Sequence, residues 1–194
     1  MKVIGISGSP RPEGNTTLLV KEALKVIENE GIDVEFISLA NKELNPCIGC
    51  NLCKEEGKCP IIDDVEEILE KMKKADGIIL GSPVYFGGVS AQLKMLMDRS
   101  RPLRIGFQLK NKVGGAIAVG ASRNGGQETT IQQIHNFFLI HASIVVGDSD
   151  PTAHYGGTGV GKSPEDCKND KIGLETARNL GKKVAEVVKL INKK

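Results

Sequence analysis

Two hydrophobic rhythms take turns along this chain. Val3-Ile4-Gly5-Ile6 is a continuous apolar run ending in Ser7-Gly8-Ser9-Pro10, the pattern of a strand buried on both faces as in a parallel sheet. From Thr16 to Asn29 the spacing turns helical, with Leu18, Leu19, Ala23, Val26 and Ile27 on one face, and Gly31 is the stop signal. Val34 to Leu39 alternates as a second strand. Asp63 or Asp64 is placed to cap a helix running to about Lys74, with Val65, Ile68, Leu69 and Met72 inward. Gly77 to Gly81 predicts a third strand, Ala91 to about Ser100 a helix, Lys112 to Gly120 a fourth strand, and Thr129 to Ile140 a helix. Ala142 to Val146 predicts a fifth strand and Ile172 to Ile191 a closing amphipathic helix. Between them, Gly147 to Asp170 is rich in Gly, Pro, Asp and Ser and reads as a surface loop.

Strand and helix thus alternate five times, which implies an α/β fold: a doubly wound parallel sheet, helices on both faces, right-handed crossovers. Neither an internal repeat nor a linker divides the sequence, so residues 1–194 are expected to form a single domain.

Composition narrows the class of function. A formal net charge of +2 gives no reason to expect nucleic acid or an anionic membrane as partner. Five Phe, two Tyr and no Trp argue against a stacking platform for single strands. Met1-Lys2 leads directly into the first strand, too short for a secretory signal, and no stretch approaches the roughly 20 apolar residues of a membrane span. A cytoplasmic location is expected, where thiols stay reduced.

Three loops carry candidate binding chemistry. Ser7 to Thr17 joins a buried strand to a helix. A helix start offers unpaired N–H groups and a positive dipole end suited to phosphate. Ser9, Asn15, Thr16 and Thr17 add side-chain donors and Arg11 a charge. Without the Lys-Ser/Thr ending of a triphosphate loop or the spacing of a dinucleotide fingerprint, the loop suits one terminal monophosphate; the plain alternative is a Gly-rich turn with a Ser/Thr cap. The second loop, Ser82 to Gly88, contains Pro83, Val84, Tyr85, Phe86 and Gly87. It offers a stiff backbone and flat apolar surface to a planar ring, or else its aromatics simply pack in the core. The third, Ala121 to Glu128, contains Ser122, Arg123, Asn124, Gly125 and Gly126, and its glycines admit close backbone approach or serve only a flexible turn. In an open parallel sheet, ligands sit at the carboxyl ends of the strands near the switch point, where these loops fall.

Four of the five cysteines crowd into one segment, residues 44–60 after the second strand: Cys47, Cys50, Cys53 and Cys59, spaced C-x2-C-x2-C-x5-C. Three thiolates in seven residues can wrap three corners of an iron–sulfur cubane, with the fourth closing it. Pro60 follows the last Cys, as Pro does in bacterial ferredoxin runs. Structural zinc more often takes two separated pairs. Zinc and uncoordinated thiols remain the alternatives. Gly49 and Gly57 permit tight backbone there. Lys54 and Lys58 are solvated charges or attract an acidic partner. Cys167 is a spare thiol, and His135 and His141 have packing or solvent roles. His154 and Tyr155 are placed to cover a ligand from a neighbouring subunit.

The whole pattern resembles the flavodoxin-like family of NAD(P)H-dependent FMN reductases, with strand order 2-1-3-4-5. The cysteine insert makes it similar to the archaeal and bacterial iron–sulfur flavoproteins, which bind FMN and a [4Fe–4S] cluster. The resemblance implies that Ser9, Arg11, Asn15, Thr16 and Thr17 hold the FMN phosphate. It implies that Pro83 to Gly87 and Ser122 to Gly126 frame the ring. It implies a redox relay from a donor such as ferredoxin to a small-molecule acceptor such as oxygen, peroxide or a quinone, with no catalytic side chain required. The alternatives are an NAD(P)H-dependent FMN or quinone reductase, and a non-enzymatic redox sensor. Against the sensor stands the lack of a DNA-binding motif or basic patch in the sequence. With the cluster loop after the second strand and the ring over strands three and four, one chain would keep its cluster nearer the phosphate end than the ring. A homodimer or homotetramer is therefore expected.

Overall fold

The computed structural model describes residues 1–193. Five parallel strands, β1 (Lys2–Ser7), β2 (Asp33–Ser38), β3 (Gly77–Pro83), β4 (Val113–Gly120) and β5 (Ile144–Val146), lie in the order β2-β1-β3-β4-β5. The helices are α1 (Asn15–Asn29), α2 (Leu52–Glu56), α3 (Val65–Lys74), α4 (Ala91–Arg99), α5 (Arg101–Arg104), α6 (Gln127–Ile140) and α7 (Lys171–Asn192).

Period-two alternation along the buried strands builds two cores. Ile4, Ile6, Ile78, Leu80, Ala116 and Ala118 point to the face covered by α3, α4 and α6. Val3, Ile79, Val113, Ile117 and Val119 point to the face covered by α1 and α7. Helix α1 sits close to the sheet: a Cβ on Gly81 would lie 2.5 Å from Val20 Cγ2, so only glycine admits this approach. That contact holds the start of α1 over the carboxyl ends of β1 and β3.

The stretch 147–170 departs from the expected surface loop. It contains a sixth strand, β6 (Gly157–Val160), and a 3₁₀ turn at Asp166–Lys168. β5 pairs with Val113–Gly115 of β4, and β6 with Ile117–Gly120 of the same strand. The fifth sheet position is therefore one row made of two pieces with residues 147–156 looped out between them. Gly157-Thr158-Gly159-Val160 offers almost no apolar alternation, which is why periodicity does not reveal it. The cysteine segment also holds a short helix, α2, between left-handed residues Asn51 (φ 64°) and Gly57 (φ 71°). No helix among the described residues is long and apolar enough to cross a membrane.

Candidate functional site

β1 delivers Ser7, Gly8 and Ser9 to the mouth of the sheet, where hydroxyls hold the loop in shape. Ser7 Oγ and Thr17 Oγ1 are 3.0 Å apart, and the Arg11 N–H donates to Ser9 Oγ at 3.1 Å. Gly14 precedes α1, and no side chain caps the helix. The first-turn N–H groups, with Ser9, Thr16 and Thr17 buried around them, are an uncapped donor cluster of the kind that takes a phosphate. A Cβ on Gly14 would lie 2.7 Å from Ser9 Oγ, so that cradle too requires glycine.

The second loop closes on itself. The Tyr85 N–H donates to Gly88 O at 2.9 Å and the Gly88 N–H to Tyr85 O at 3.1 Å. Phe86 (φ 49°) and Gly87 (φ 78°) are both left-handed, as in a type I′ turn. Phe86 stands fully exposed at the tip and Tyr85 is half-exposed, so neither aromatic is spent on the core. Thr129 Oγ1 donates to Gly87 O at 2.8 Å, tying the turn to α6.

Ser122 to Gly126 are shaped by a residue next in sequence, Gln127, which is 2% exposed. Its Oε1 accepts from the Gly125 N–H at 2.8 Å, and its Nε2 donates to Ser122 O at 2.7 Å and to Gly159 O at 3.2 Å. The Arg123 guanidinium is engaged by Asp170 Oδ1 at 2.7 Å and Thr158 O at 3.3 Å.

One cleft of about 230 Å³ joins these parts. Ser9, Arg11 and Thr16 line one wall, Pro83, Val84 and Tyr85 another, and Val119 and Ala121 lie between them. Gly161 and Lys162, brought in by β6, complete it. Phe86, Gly87 and Ser122 to Gly126 sit outside this inner cleft, at its rim. Asn15 lines the cleft, while its side-chain amide is bonded to Ser163 and Cys167 of the β6 segment. Lys162 and Gln127 carry no local sequence signal; only the pairing of β6 with β4 gives them their place.

The four cysteines lie at the surface on the β2 side. Cys47 and Cys50 are exposed, Cys53 and Cys59 partly buried, and all are unbridged. Among the described residues no three His, Cys, Asp or Glu side chains meet at a point that one ion would occupy; the ligands of a cluster stand further apart, each on its own iron. The donor set of four soft thiolates without a hard oxygen fits an iron–sulfur cluster.

Both flanks of this segment are tied to one buried residue, Arg99, 2% exposed at the end of α4. Its Nε–H donates to Cys59 Sγ at 3.1 Å. Nη1 donates to Asn45 O at 2.9 Å and Asp63 Oδ2 at 2.7 Å, and Nη2 to Ile61 O and Asp63 Oδ1, both at 3.1 Å. Burial by itself would raise the Asp63 carboxyl; Arg99 and the Asn45 and Val65 N–H groups outweigh it and hold it below the usual range. Asp63 thus accepts from the first turn of α3 at Val65, but its main partner is Arg99. Arg99 follows Leu93 and Leu96 at three-residue steps on the buried face. A charge on an apolar stripe was the signal in the sequence. A second cavity, about 270 Å³, opens beside Cys59 and Arg99 between α3 and α5.

Comparison with known proteins agrees with this layout. Residues 1–157 match the model of the family described as NADPH-dependent FMN reductase. The chain is 89% identical over 193 residues to an iron–sulfur flavoprotein of Methanocaldococcus jannaschii, covering 100% of both chains. It is 46% identical to an iron–sulfur flavoprotein of Methanosarcina thermophila, covering 100% of this chain and 98% of that one. Its fold matches a flavodoxin-like WrbA-like protein from Agrobacterium tumefaciens at TM-score 0.68 and 22% identity, over 97% of each chain. This chain belongs to the NADPH-dependent FMN reductase family and, within it, to the iron–sulfur flavoproteins.

Proposed function

We propose that the chain binds FMN in the cleft at the strand ends and a [4Fe–4S] cluster on Cys47, Cys50, Cys53 and Cys59, and relays electrons between a donor such as ferredoxin and a small acceptor such as oxygen, peroxide or a quinone. When bound, the flavin exchanges one or two electrons and the cluster one at a time. The carrying observation is that helix α4 is seated on both sites. At its start, Ser90 Oγ donates to Gly8 O at 2.6 Å and the Ser90 N–H donates to Ser82 Oγ at 2.9 Å; at its end stands Arg99, bonded to Cys59.

The chain's own residues bind and orient. Ser9, Thr16 and the α1 N–H groups, that of Thr17 among them, receive the phosphate, with Arg11 and Lys162 as cations at the cleft wall; the Thr17 hydroxyl, turned to Ser7, shapes the loop behind them. Asn15 holds the Lys162 segment in place. Pro83 to Gly87 and Ser122 to Gly126 frame the ring, with Arg123 fixed by Asp170 as part of that frame. Bare Phe86 and the exposed Ile48 and Ile62 support a homodimer or homotetramer whose subunits cover these side chains and shield the ring from water.

Anaerobic reconstitution followed by flavin and iron quantitation and EPR of the reduced protein tests the reading. About one FMN and four irons per chain are expected, and a protein with neither contradicts it. The family's description favours a second reading, direct reduction by NADPH. Stopped-flow bleaching separates the two: fast reduction by NADPH supports the reductase, whereas negligible NADPH reduction with fast transfer from reduced ferredoxin supports the relay. Steady turnover with an acceptor would argue against a pure sensor.

A further inference from the structure

Arg99 does more than the fold needs. A buried arginine at the end of a short helix could be satisfied by a carboxylate and a carbonyl. Here all three guanidinium nitrogens are used, and their partners come from two places in the chain: Asn45 before the first cysteine, and Cys59, Ile61 and Asp63 at or after the last. The guanidinium thus closes the neck of the loop that carries the four thiols. Only a rigid planar fork reaches these partners at once; a lysine ammonium, with one nitrogen, does not.

Asp63 compensates the charge of Arg99, its side chain 0% exposed against 1% for the arginine. What Cys59 Sγ receives is chiefly an oriented N–H at 3.1 Å. Hydrogen bonds to ligand sulfurs are among the determinants of cluster potential. Reduction adds negative charge that spreads onto the sulfurs. A donor aimed at one of them stabilises the reduced form more than the oxidised one, and the potential rises. The arginine side chain is 1% exposed, so its buried bonds fix the direction of this donor.

We propose that Arg99 is a positioning residue for the cluster: its guanidinium closes the neck of the cysteine loop, and its Nε–H to Cys59 Sγ holds the cluster's reduction potential above the value it would have without that bond. This rests on the reading that the four cysteines hold a cluster.

The experiment compares the reconstituted full-length wild type with Arg99→Lys and with the double variant Arg99→Met/Asp63→Asn, which leaves no lone buried charge. Iron, sulfide and FMN per chain are measured on each, and cluster and flavin potentials are read in one EPR- and absorbance-monitored titration. In variants that keep FMN, two results support the proposal. One is loss of iron. The other is full iron with cluster reduction about tenfold less favourable, a fall of about 59 mV for one electron, and the flavin potential unchanged. Full iron with the wild-type cluster potential in both variants overturns it. Should the variants not fold, wild type labelled with ¹⁵N-arginine gives the answer by pulsed EPR of the reduced cluster. A nitrogen hyperfine coupling is expected, and its absence overturns the proposal. A wild type without iron and sulfide would instead remove the cluster reading beneath it.

Discussion

Asn15 and Cys167 are joined across the mouth of the sheet: Asn15 Oδ1 accepts from the Cys167 N–H at 3.0 Å, while Asn15 Nδ2 donates to Ser163 O at 2.8 Å. The first residue of α1 thereby clamps the segment that carries Lys162. Replacing Asn15 by Ala leaves two main-chain groups without partners. The expected loss is about 1–3 kcal/mol of stability, read by urea unfolding of the apoprotein, together with weaker FMN binding read by flavin fluorescence quenching. Unchanged stability and affinity would mean that water replaces the amide.

Arg11 and Lys162 line the cleft from opposite directions in the sequence. A charge-assisted bond to phosphate is worth about 1.5–3 kcal/mol, so Arg11→Ala and Lys162→Ala should each weaken FMN roughly tenfold or more, increasingly so at low salt. Riboflavin, which lacks the phosphate, should bind both variants as it binds wild type. Equal losses for riboflavin would point to collapse of the loop.

The five thiols should divide four to one. Burial and the nearby carboxylates of Asp170 and Asp166 push the Cys167 thiol up to about 12, so it stays protonated and unreactive in the folded protein. Ellman's reagent should count four thiols in the native apoprotein and the fifth only in guanidinium. Cys59→Ala should abolish cluster iron while FMN stays, and Cys167→Ala should retain both.

His141 gives a dependence on acid. Burial, with a smaller contribution from the Arg104 charge, lowers it from 6.5 to about 4. The unfolded chain takes up its proton near pH 6.5, the folded chain only near 4, so stability is full above 6.5 and falls as pH drops towards 4. The loss from this group is on the order of 3 kcal/mol. His135 is lowered by burial too and acts in the same direction. Chemical denaturation of the apoprotein at pH 7 and pH 4.5 should show the fall, and His141→Gln should flatten part of it.

Phe86 holds a left-handed backbone at φ 49° with its ring bare. Phe86→Gly relieves that backbone and should raise apoprotein stability by up to about 1 kcal/mol. The same change should shift sedimentation towards smaller species, provided the ring is covered by a second subunit. An unaltered oligomer with unaltered flavin affinity would leave the ring with neither role.

The alternation of buried apolar runs with helical faces was enough, in the sequence, to mark the sheet, its two helical layers and the loops at its carboxyl ends. Those patterns are local: side-chain direction in a strand or helix repeats every few residues whatever the rest of the chain does. The cysteine spacing was legible for the same reason, since one short loop carries all four sulfurs. What only the tertiary structure decided are the relationships across the sequence. β6 has too little apolar pattern to be seen alone, yet its pairing with β4 brings Lys162 to the cleft that Arg11 also lines and places Gly159 against Gln127. Arg99 sits on an apolar stripe of α4, and its meaning appears only where Asn45, Cys59, Ile61 and Asp63 converge on it. A buried fork must find all its acceptors, and which ones it finds depends on how the layers pack, not on any neighbour along the chain.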